Sequence, residues 1–130
     1  MKIYYKGNIL KSQIKYVGSS SRKWEDYYPN GILEYYEEYH RSGDYYITEK
    51  WYYTTGQLKS LLLLTDKKNK KYIKKVFYED GTVKTEGQFL YSKSMMDYLK
   101  TDTWKHFNKT GKLTKEQEYF FGKLDKETSY

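Results

Sequence analysis

The segment Tyr52-Tyr53-Thr54-Thr55-Gly56-Gln57-Leu58 places two aromatic residues just before a glycine and an aliphatic residue just after it. Similar arrangements occur at four other places, around the glycines at positions 7, 31, 81 and 111. Successive glycines of this series are 24, 25, 25 and 30 residues apart. Self-similarity at a nearly fixed period is typical of repeat proteins. The chain is therefore predicted to consist of about five copies of one structural unit.

Turn-forming dipeptides identify this unit as a β-hairpin. Asn30-Gly31 and Asp80-Gly81 tolerate positive φ at both central positions of a type I′ turn, and Thr55-Gly56 and Thr110-Gly111 occupy the same place. Polar segments that return the chain at the opposite edge cover residues 18–22, 41–44, 66–71 and 92–97. The sequence predicts an all-β fold, an antiparallel meander of stacked β-hairpin repeats with about ten short strands, in one domain over residues 1–130.

Period-two alternation assigns the side chains of each hairpin to two faces. One face is predicted to be packed, with its tryptophan and tyrosine rings mostly buried; it comprises Trp24, Tyr28, Leu33, Tyr35, Trp51, Tyr53, Leu58, Leu62, Leu64, Val76, Tyr78, Val83 and Phe89. The other face mixes charged and aromatic side chains. We expect the partner-binding residues there, namely Tyr27, Tyr36, Tyr52, Lys59, Phe77 and Lys84.

One interval is longer than the others, and its extra residues fall within residues 91–103. Ser94-Met95-Met96-Asp97 resembles the start of a helical turn with an acidic residue in its first turn. We expect a loop or a short helix at this insertion. A tolerated surface insertion and a Met-Met contact point for a partner both remain open.

The composition is dominated by aromatic residues, with 18 Tyr, 5 Phe and 3 Trp, and it includes no cysteine. Tyrosine suits a thin sheet because it buries a ring while its hydroxyl stays hydrated. Without cysteine, neither a disulfide framework nor a thiolate metal site can form. The N-terminal residues contain no apolar signal segment, and the longest apolar run is Leu61–Leu64. We therefore expect a cytoplasmic protein with no transmembrane segment.

The recurring pattern Trp-x-x-Tyr-Tyr-x-x-Gly-x-Leu, seen from Trp24 to Leu33, resembles the bacterial variety of MORN repeats (membrane occupation and recognition nexus), including proteins described as antitoxin-like. The resemblance covers most of the chain and is clearest from Trp24 to Phe121. It implies an elongated antiparallel sheet that acts as a scaffold or binding surface. The chain departs from the usual family linker at residues 41–44 and 66–70.

Candidate catalytic groups do not converge in the sequence. His40 and His106 lie far apart, and neither has the spacing of a metal-binding helix. The adjacent carboxylates Glu25 and Asp26 must point to opposite faces of a strand and cannot share a proton. We expect no catalytic residues, no bound metal, no cofactor and no enzyme activity.

Two classes of function stay open. The first is a protein-binding module that neutralises or scaffolds a cytoplasmic partner, in the manner of an antitoxin or immunity protein. The second is binding to an anionic surface, either nucleic acid or lipid headgroups, through a lysine-rich turn and the mixed Tyr/Lys face. The lysines of this turn are Lys67, Lys68, Lys70, Lys71, Lys74 and Lys75.

Overall fold

The computed structural model describes residues 1–130 as one antiparallel sheet in which every strand pairs with its neighbours in the chain. It contains eleven strands and no helix, so the predicted all-β meander is confirmed with one strand more than expected. The strands are β1 (Lys2–Tyr4), β2 (Leu10–Val17), β3 (Ser21–Tyr27), β4 (Leu33–His40), β5 (Tyr45–Tyr52), β6 (Leu58–Asp66), β7 (Lys71–Phe77), β8 (Val83–Ser92), β9 (Asp97–Phe107), β10 (Leu113–Phe120) and β11 (Lys123–Ser129).

The hairpin tips lie where the glycines predicted them, but the predicted turn type is wrong. At the second tip the Gly31 amide donates to the Tyr28 carbonyl at 2.9 Å, and the Tyr28 amide donates to the Ile32 carbonyl at 2.8 Å. Gly31 has a φ of 87°, whereas Asn30 is not among the residues with positive φ. The loop is thus a type I turn followed by a left-handed glycine. Pro29 favours this turn because its ring fixes φ near the value that the first central position needs.

A β-bulge follows each tip and offsets the extra residue of the turn, so the pairing beyond the bulge is the one that a two-residue turn would give. Tyr27 pairs with Leu33 while Asp26 pairs with Tyr35, so Glu34 is an extra residue on β4. The equivalent extra residues at the other tips are Lys11, Lys59, Lys84 and Thr114. Tyr28 pairs with Ile32 rather than with Leu33, which a two-residue Asn30-Gly31 turn would place opposite it, because the turn holds three residues.

Tyrosines at the tips connect each hairpin to the next. The hydroxyls of Tyr5, Tyr28, Tyr53 and Tyr78 donate to the carbonyls of Tyr27, Tyr52, Phe77 and Phe107, at 2.9, 2.6, 2.7 and 2.8 Å respectively. We call these four residues the tip ladder. At the fifth tip the equivalent residue is Asn108, whose side chain instead accepts hydrogen bonds within its own turn. The repeated aromatic pair thus forms a chain of hydrogen bonds along the sheet.

At the opposite ends of the strands, tyrosines connect strands that are not neighbours. The Tyr98 hydroxyl on β9 accepts from the Tyr46 amide on β5 at 2.9 Å, and the Tyr72 hydroxyl donates to the Tyr46 carbonyl. In a flat sheet β5 and β9 would be separated by roughly 19 Å, at about 4.8 Å per strand. The sheet must therefore curl strongly here. We call Tyr39, Tyr46, Tyr72, Tyr91 and Tyr98 the return-turn cluster, since their rings contact one another.

The insertion forms a turn and a bulge rather than a helix. Residues 93–96 form a turn like those at residues 41–44 and 67–70, and each of the three ends on a left-handed residue, Met96, Asp44 or Lys70. The extra residues lie in β9, where the register with β8 is broken between Glu86 and Gln88. There Trp104 lies directly on Gly87, and a Cβ at position 87 would come within 2.0 Å of its ring. The glycine thus makes room for the ring.

The sheet has little interior. Only ten of the 130 residues are buried, and the buried apolar ones are Tyr35, Tyr45, Leu62, Tyr72 and Trp104. Of the rings that were predicted to be mostly buried, Trp24, Tyr28, Tyr53 and Tyr78 are only half-buried. Trp51 is 42% exposed, so that prediction is wrong. Because no second layer covers the sheet, burial depends on curvature and on neighbouring side chains.

Candidate functional site

Register places aromatic and acidic side chains together on one face of β3 to β6. Asp26, Tyr35, Trp51 and Ser60 stand opposite one another on successive strands. The next row along the strands contains Trp24, Glu37, Glu49 and Leu62. We call this surface the Tyr35 face, and the other surface of the same strands, where Glu25, Tyr36, Lys50 and Leu61 are aligned, the Tyr36 face.

Trp51 is the largest exposed side chain on the Tyr35 face. Its ring packs against the ring of Tyr35, with centroids 4.3 Å apart and planes at 49°. Tyr35 is only 8% exposed, whereas Trp51 is 42% exposed. A buried tyrosine therefore supports one side of the tryptophan and leaves the remainder of that indole open to solvent.

Asp26 is fixed by two donors on the same face. The Ser12 hydroxyl donates to Asp26 Oδ1 at 2.6 Å, and the Trp24 indole N–H donates to the same oxygen at 2.7 Å. The other oxygen, Oδ2, has no hydrogen bond to the protein, and no buried side-chain polar atom lacks a partner, so Oδ2 is accessible to solvent. Both the carboxylate and the Trp24 ring are thus held in place before any partner arrives.

Two further carboxylates meet at the Tyr35 hydroxyl. This hydroxyl lies 2.9 Å from Glu37 Oε1 and 2.9 Å from Glu49 Oε2. Arg22 forms an ion pair with Glu37 Oε2 at 3.1 Å. Burial, reinforced by the negative charges of Glu49 and Glu37, raises the pKa of Tyr35 well above its ordinary value. The phenol therefore stays protonated and serves as a neutral donor between two acids.

Lys74 stands on the same face but is displaced from these acids. It pairs with Leu62 across β6 and β7, which places it two strands away from Glu49 on β5. Burial lowers the pKa of Lys74, and the charge of Glu49 partly opposes that effect. None of the chain's ion pairs includes Asp26 or Glu49.

The two tryptophans border a cleft of about 320 Å³, which we call the Trp24–Trp51 cleft. Its lining consists of Arg22, Trp24, Asp26, Tyr35, Glu37 and Trp51. Rings form much of the wall and carboxylates supply the polar groups. A pocket of this type suits the insertion of a single side chain or small group.

The sequence-predicted partner residues divide between two environments. Tyr27, Tyr36, Tyr52 and Phe77 are half-buried, and pairing places Tyr36 opposite Glu25 and Lys50. The Tyr27 hydroxyl donates to Glu25 at 2.5 Å and accepts from Gln13 at 3.2 Å. Burial and the bond to Glu25 raise the pKa of Tyr27, and burial with the neighbouring Tyr36 raises that of Tyr52.

Lys59 and Lys84, by contrast, are bulge residues that lie over rings of their own hairpins. The Lys59 ammonium is 5.5 Å from the Tyr53 ring centroid, and the Lys84 ammonium is 5.8 Å from that of Tyr78. Lys11 lies over Tyr5 in the same way at 5.5 Å. These lysines thus belong to the repeat architecture of the tips.

The six lysines near the third return turn do not form one surface. Lys67, Lys68 and Lys71 are exposed around the turn, whereas Lys70 lies over the Tyr45 ring at 4.5 Å. Lys74 and Lys75 are adjacent on β7 and point to opposite faces. Asn69 donates to Asp66 through its backbone and side-chain N–H groups, which lowers the pKa of Asp66. The turn itself is therefore well ordered by hydrogen bonds.

The two histidines take part in local hydrogen bonding. His40 Nδ1 accepts from the Gly43 amide at 3.2 Å, and the His40 ring stacks on Tyr45 with centroids 4.8 Å apart. His106 lies between Thr85 and Gln117, at 3.2 and 2.8 Å. No group of three or more His, Cys, Asp or Glu side chains is arranged to hold a metal ion.

Three segments of the hairpin sheet match a known protein family. Residues 23–41, 45–64 and 73–91 match the family described as MORN repeat variant. These three segments have the pattern of MORN repeats. The three matched segments lie within β3 to β8 and include every residue that lines the Trp24–Trp51 cleft except Arg22. MORN repeats are generally binding modules for membrane lipids or proteins. No curated protein is significantly similar to the whole chain.

The sheet includes no helix that is long and apolar enough to cross a membrane.

The sequence analysis did not predict the acidic residues of the Tyr35 face, although their spacing contained a signal. Asp26 is two residues from Trp24, and Glu49 is two residues from Trp51. A spacing of two puts each carboxylate on the same side as the neighbouring ring. A dry packed face would not tolerate so many acids.

Proposed function

We propose that the protein is a non-enzymatic, cytoplasmic binding module whose Tyr35 face docks a partner protein, which it neutralises or scaffolds in the manner of an antitoxin or immunity protein. The observation that carries this proposal is Trp51, a tryptophan 42% exposed yet supported by a buried ring. Tryptophan, tyrosine and arginine dominate the energy of protein interfaces, particularly where neighbouring groups exclude water.

The surroundings of Trp51 have the composition of an interface centre. Tyr35 and Trp24 supply rigid apolar area at low entropic cost, and Arg22, Asp26 and Glu37 supply oriented polar groups. Binding costs are lower when such side chains are already fixed, and the hydrogen bonds of Asp26 and Glu37 fix them. These features support the Tyr35 face rather than the Tyr36 face as the docking surface.

Affinity capture from the native host tests the proposal with two matched variants. Trp51→Leu removes the exposed indole, and Tyr36→Ala removes a ring from the other face of the same strands. We expect the wild-type protein and Tyr36→Ala to recover one protein in stoichiometric amount, and Trp51→Leu to lose it. Equal recovery by Trp51→Leu would contradict docking on the Tyr35 face. If only a third variant, Tyr27→Ala/Tyr52→Ala, lost the partner, the binding site would lie on the Tyr36 face.

The exposed lysines Lys67, Lys68 and Lys71 support a second candidate, binding to phosphate groups of nucleic acid or lipid headgroups. Phosphate binding driven by these lysines should weaken by orders of magnitude between low and physiological salt. A triple substitution of the three lysines to Gln should abolish it without affecting capture through Trp51. A complex that is insensitive to salt would exclude this candidate.

A further inference from the structure

We propose that the Trp24–Trp51 cleft is a receptor for a positively charged group, and that its occupant is the lysine or arginine side chain of a partner protein. This inference rests on the proposed function and adds the chemistry of the partner residue. The geometry that supports it combines two half-exposed indoles, a buried phenol and three carboxylates on one face.

The chain's own cations leave these rings open. Nine cation–π contacts occur in the structure, each on a different ring, at centroid distances of 4.5 to 6.0 Å. None of them involves Trp24, Tyr35 or Trp51, although tryptophan is the best ring for this interaction. In this lysine-rich protein, the three rings of the cleft are thus left without an internal cation.

Charge in the cleft favours a cation as well. Asp26 and Glu37 line the cleft, and Glu49 is adjacent to Glu37 on the same face. Arg22 also lines the cleft, but its ion pair is with Glu37 alone. Asp26 Oδ2 and Glu49 Oε1 have no hydrogen bond to the protein and can accept from an incoming ammonium or guanidinium. The whole chain carries a net charge of +7, so this acidic surface stands out against a basic background.

Electrostatic steering follows from that contrast. A basic side chain is repelled by most of the protein surface and attracted to the cleft, so charge selects where the partner docks. Once inserted, the cation lies against indole faces in a partly desolvated site, where cation–π attraction is strongest. The two effects favour the same group, which is why we assign a basic residue rather than an apolar one.

The test uses n-butylammonium chloride, which reproduces the end of a lysine side chain, and 1-pentanol, an uncharged molecule of similar size. The protein has three tryptophans, and their indole N–H signals are separate probes in a ¹H–¹⁵N spectrum. Butylammonium, at ionic strength held constant with sodium chloride, should shift the Trp24 and Trp51 signals saturably. Trp104 is buried beyond the cleft on β9, so its signal should not move.

Two variants and the neutral probe decide the outcome. Trp51→Leu and Asp26→Asn should each weaken butylammonium binding by roughly tenfold, with an unchanged Trp104 signal demonstrating an intact fold. Absence of shifts at Trp24 and Trp51, or pentanol binding as tightly as butylammonium, would overturn the inference. If butylammonium binds but host capture recovers no protein, the proposed function fails and the cation site stands. If capture succeeds without butylammonium binding, only the cation site fails.

Discussion

Tyrosine performs opposite tasks at the two ends of the strands. In the tip ladder each hydroxyl reaches a carbonyl of the next hairpin, so the contact is local and is repeated four times. In the return-turn cluster, Tyr72 and Tyr98 converge on the single residue Tyr46, and Tyr98 does so from β9, four strands beyond β5. One end therefore propagates the repeat, and the other end bends the sheet.

This difference shows how a sheet with so few buried residues can be held in one shape. Neighbour-to-neighbour bonds alone fix spacing but not curvature, since each hairpin can twist relative to the next. The long-range contacts around Tyr46 set the curvature, and curvature in turn shelters residues such as Tyr72, which is completely buried. We expect substitutions in the return-turn cluster to cost more stability than those in the tip ladder.

Truncation of Tyr72 should have the largest effect. Tyr72→Ala removes the most buried ring of the sheet together with its hydrogen bond to Tyr46, and it should lower the free energy of unfolding by about 3–5 kcal/mol. Chemical denaturation monitored by circular dichroism measures this change. Tyr72→Phe, which retains the ring, is the control and should cost far less. A loss below about 1 kcal/mol in Tyr72→Ala would mean that the cluster does not hold the curvature.

Alkaline pH should weaken the same end of the sheet. Burial raises the pKa of Tyr98 to about 12, against an ordinary value of 10.0, and burial also raises the pKa of Tyr72. Because the folded pKa lies above the unfolded one, this stabilisation is complete below pH 10 and is lost as the pH rises towards 12. The melting temperature should fall over that range, and Tyr98→Phe should show a shallower fall. Equal slopes in the two proteins would contradict the assigned burial of the phenol.

A substitution at a tip tests backbone conformation alone. Nothing lies within 4 Å of a Cβ placed on Gly31, so Gly31→Val meets no steric obstacle beyond its φ of 87°. The strain of a β-branched residue there should cost about 1–3 kcal/mol in thermal or chemical unfolding. Gly31→Asn should recover most of the loss, because asparagine tolerates left-handed φ. Equal stability of the valine variant would refute the turn geometry.

The smallest effect should come from one bond of the tip ladder. Tyr53→Phe removes the hydroxyl that donates to Phe77 and should cost about 1 kcal/mol. Tyr52→Phe, one residue earlier, removes a hydroxyl with no protein partner and serves as the matched control. A difference of zero between the two variants, measured by denaturant midpoint, would show that the ladder does not couple the repeats.

The sequence predicted the features that recur in every hairpin, but it did not predict the turn type or the pairing next to the tips. Tip positions, strand order and the shared face of Trp24 and Tyr35 follow from turn residues and period-two alternation. The turn type was predicted wrongly, although Pro29 suits the first central position of a type I turn and the β-branched Thr55 resists the positive φ that a type I′ turn needs. The three-residue turn alters the pairing next to the tip, and the bulge restores it further along the strands.

The site was harder to predict because it depends on the curvature and exposure of the sheet. Alternation correctly placed Trp51 on the same face as Tyr35, but nothing in the sequence shows that this face lacks a covering layer. The contact of Trp104 with Gly87 likewise joins two strands through a register break that no local pattern encodes. Non-local contacts of this kind arise only when the whole sheet is assembled.

The tip ladder also gives the sheet a mechanical direction. A tyrosine hydroxyl in each of the first four hairpins donates to a carbonyl of the next hairpin. Asn108 at the fifth tip forms hydrogen bonds only within its own turn. A force that peels strands from the two edges would therefore meet unequal resistance. Beyond the fifth tip no such hydrogen bond holds β10 and β11, whereas each earlier hairpin should release in a step that breaks a tip hydrogen bond together with the strand pairing.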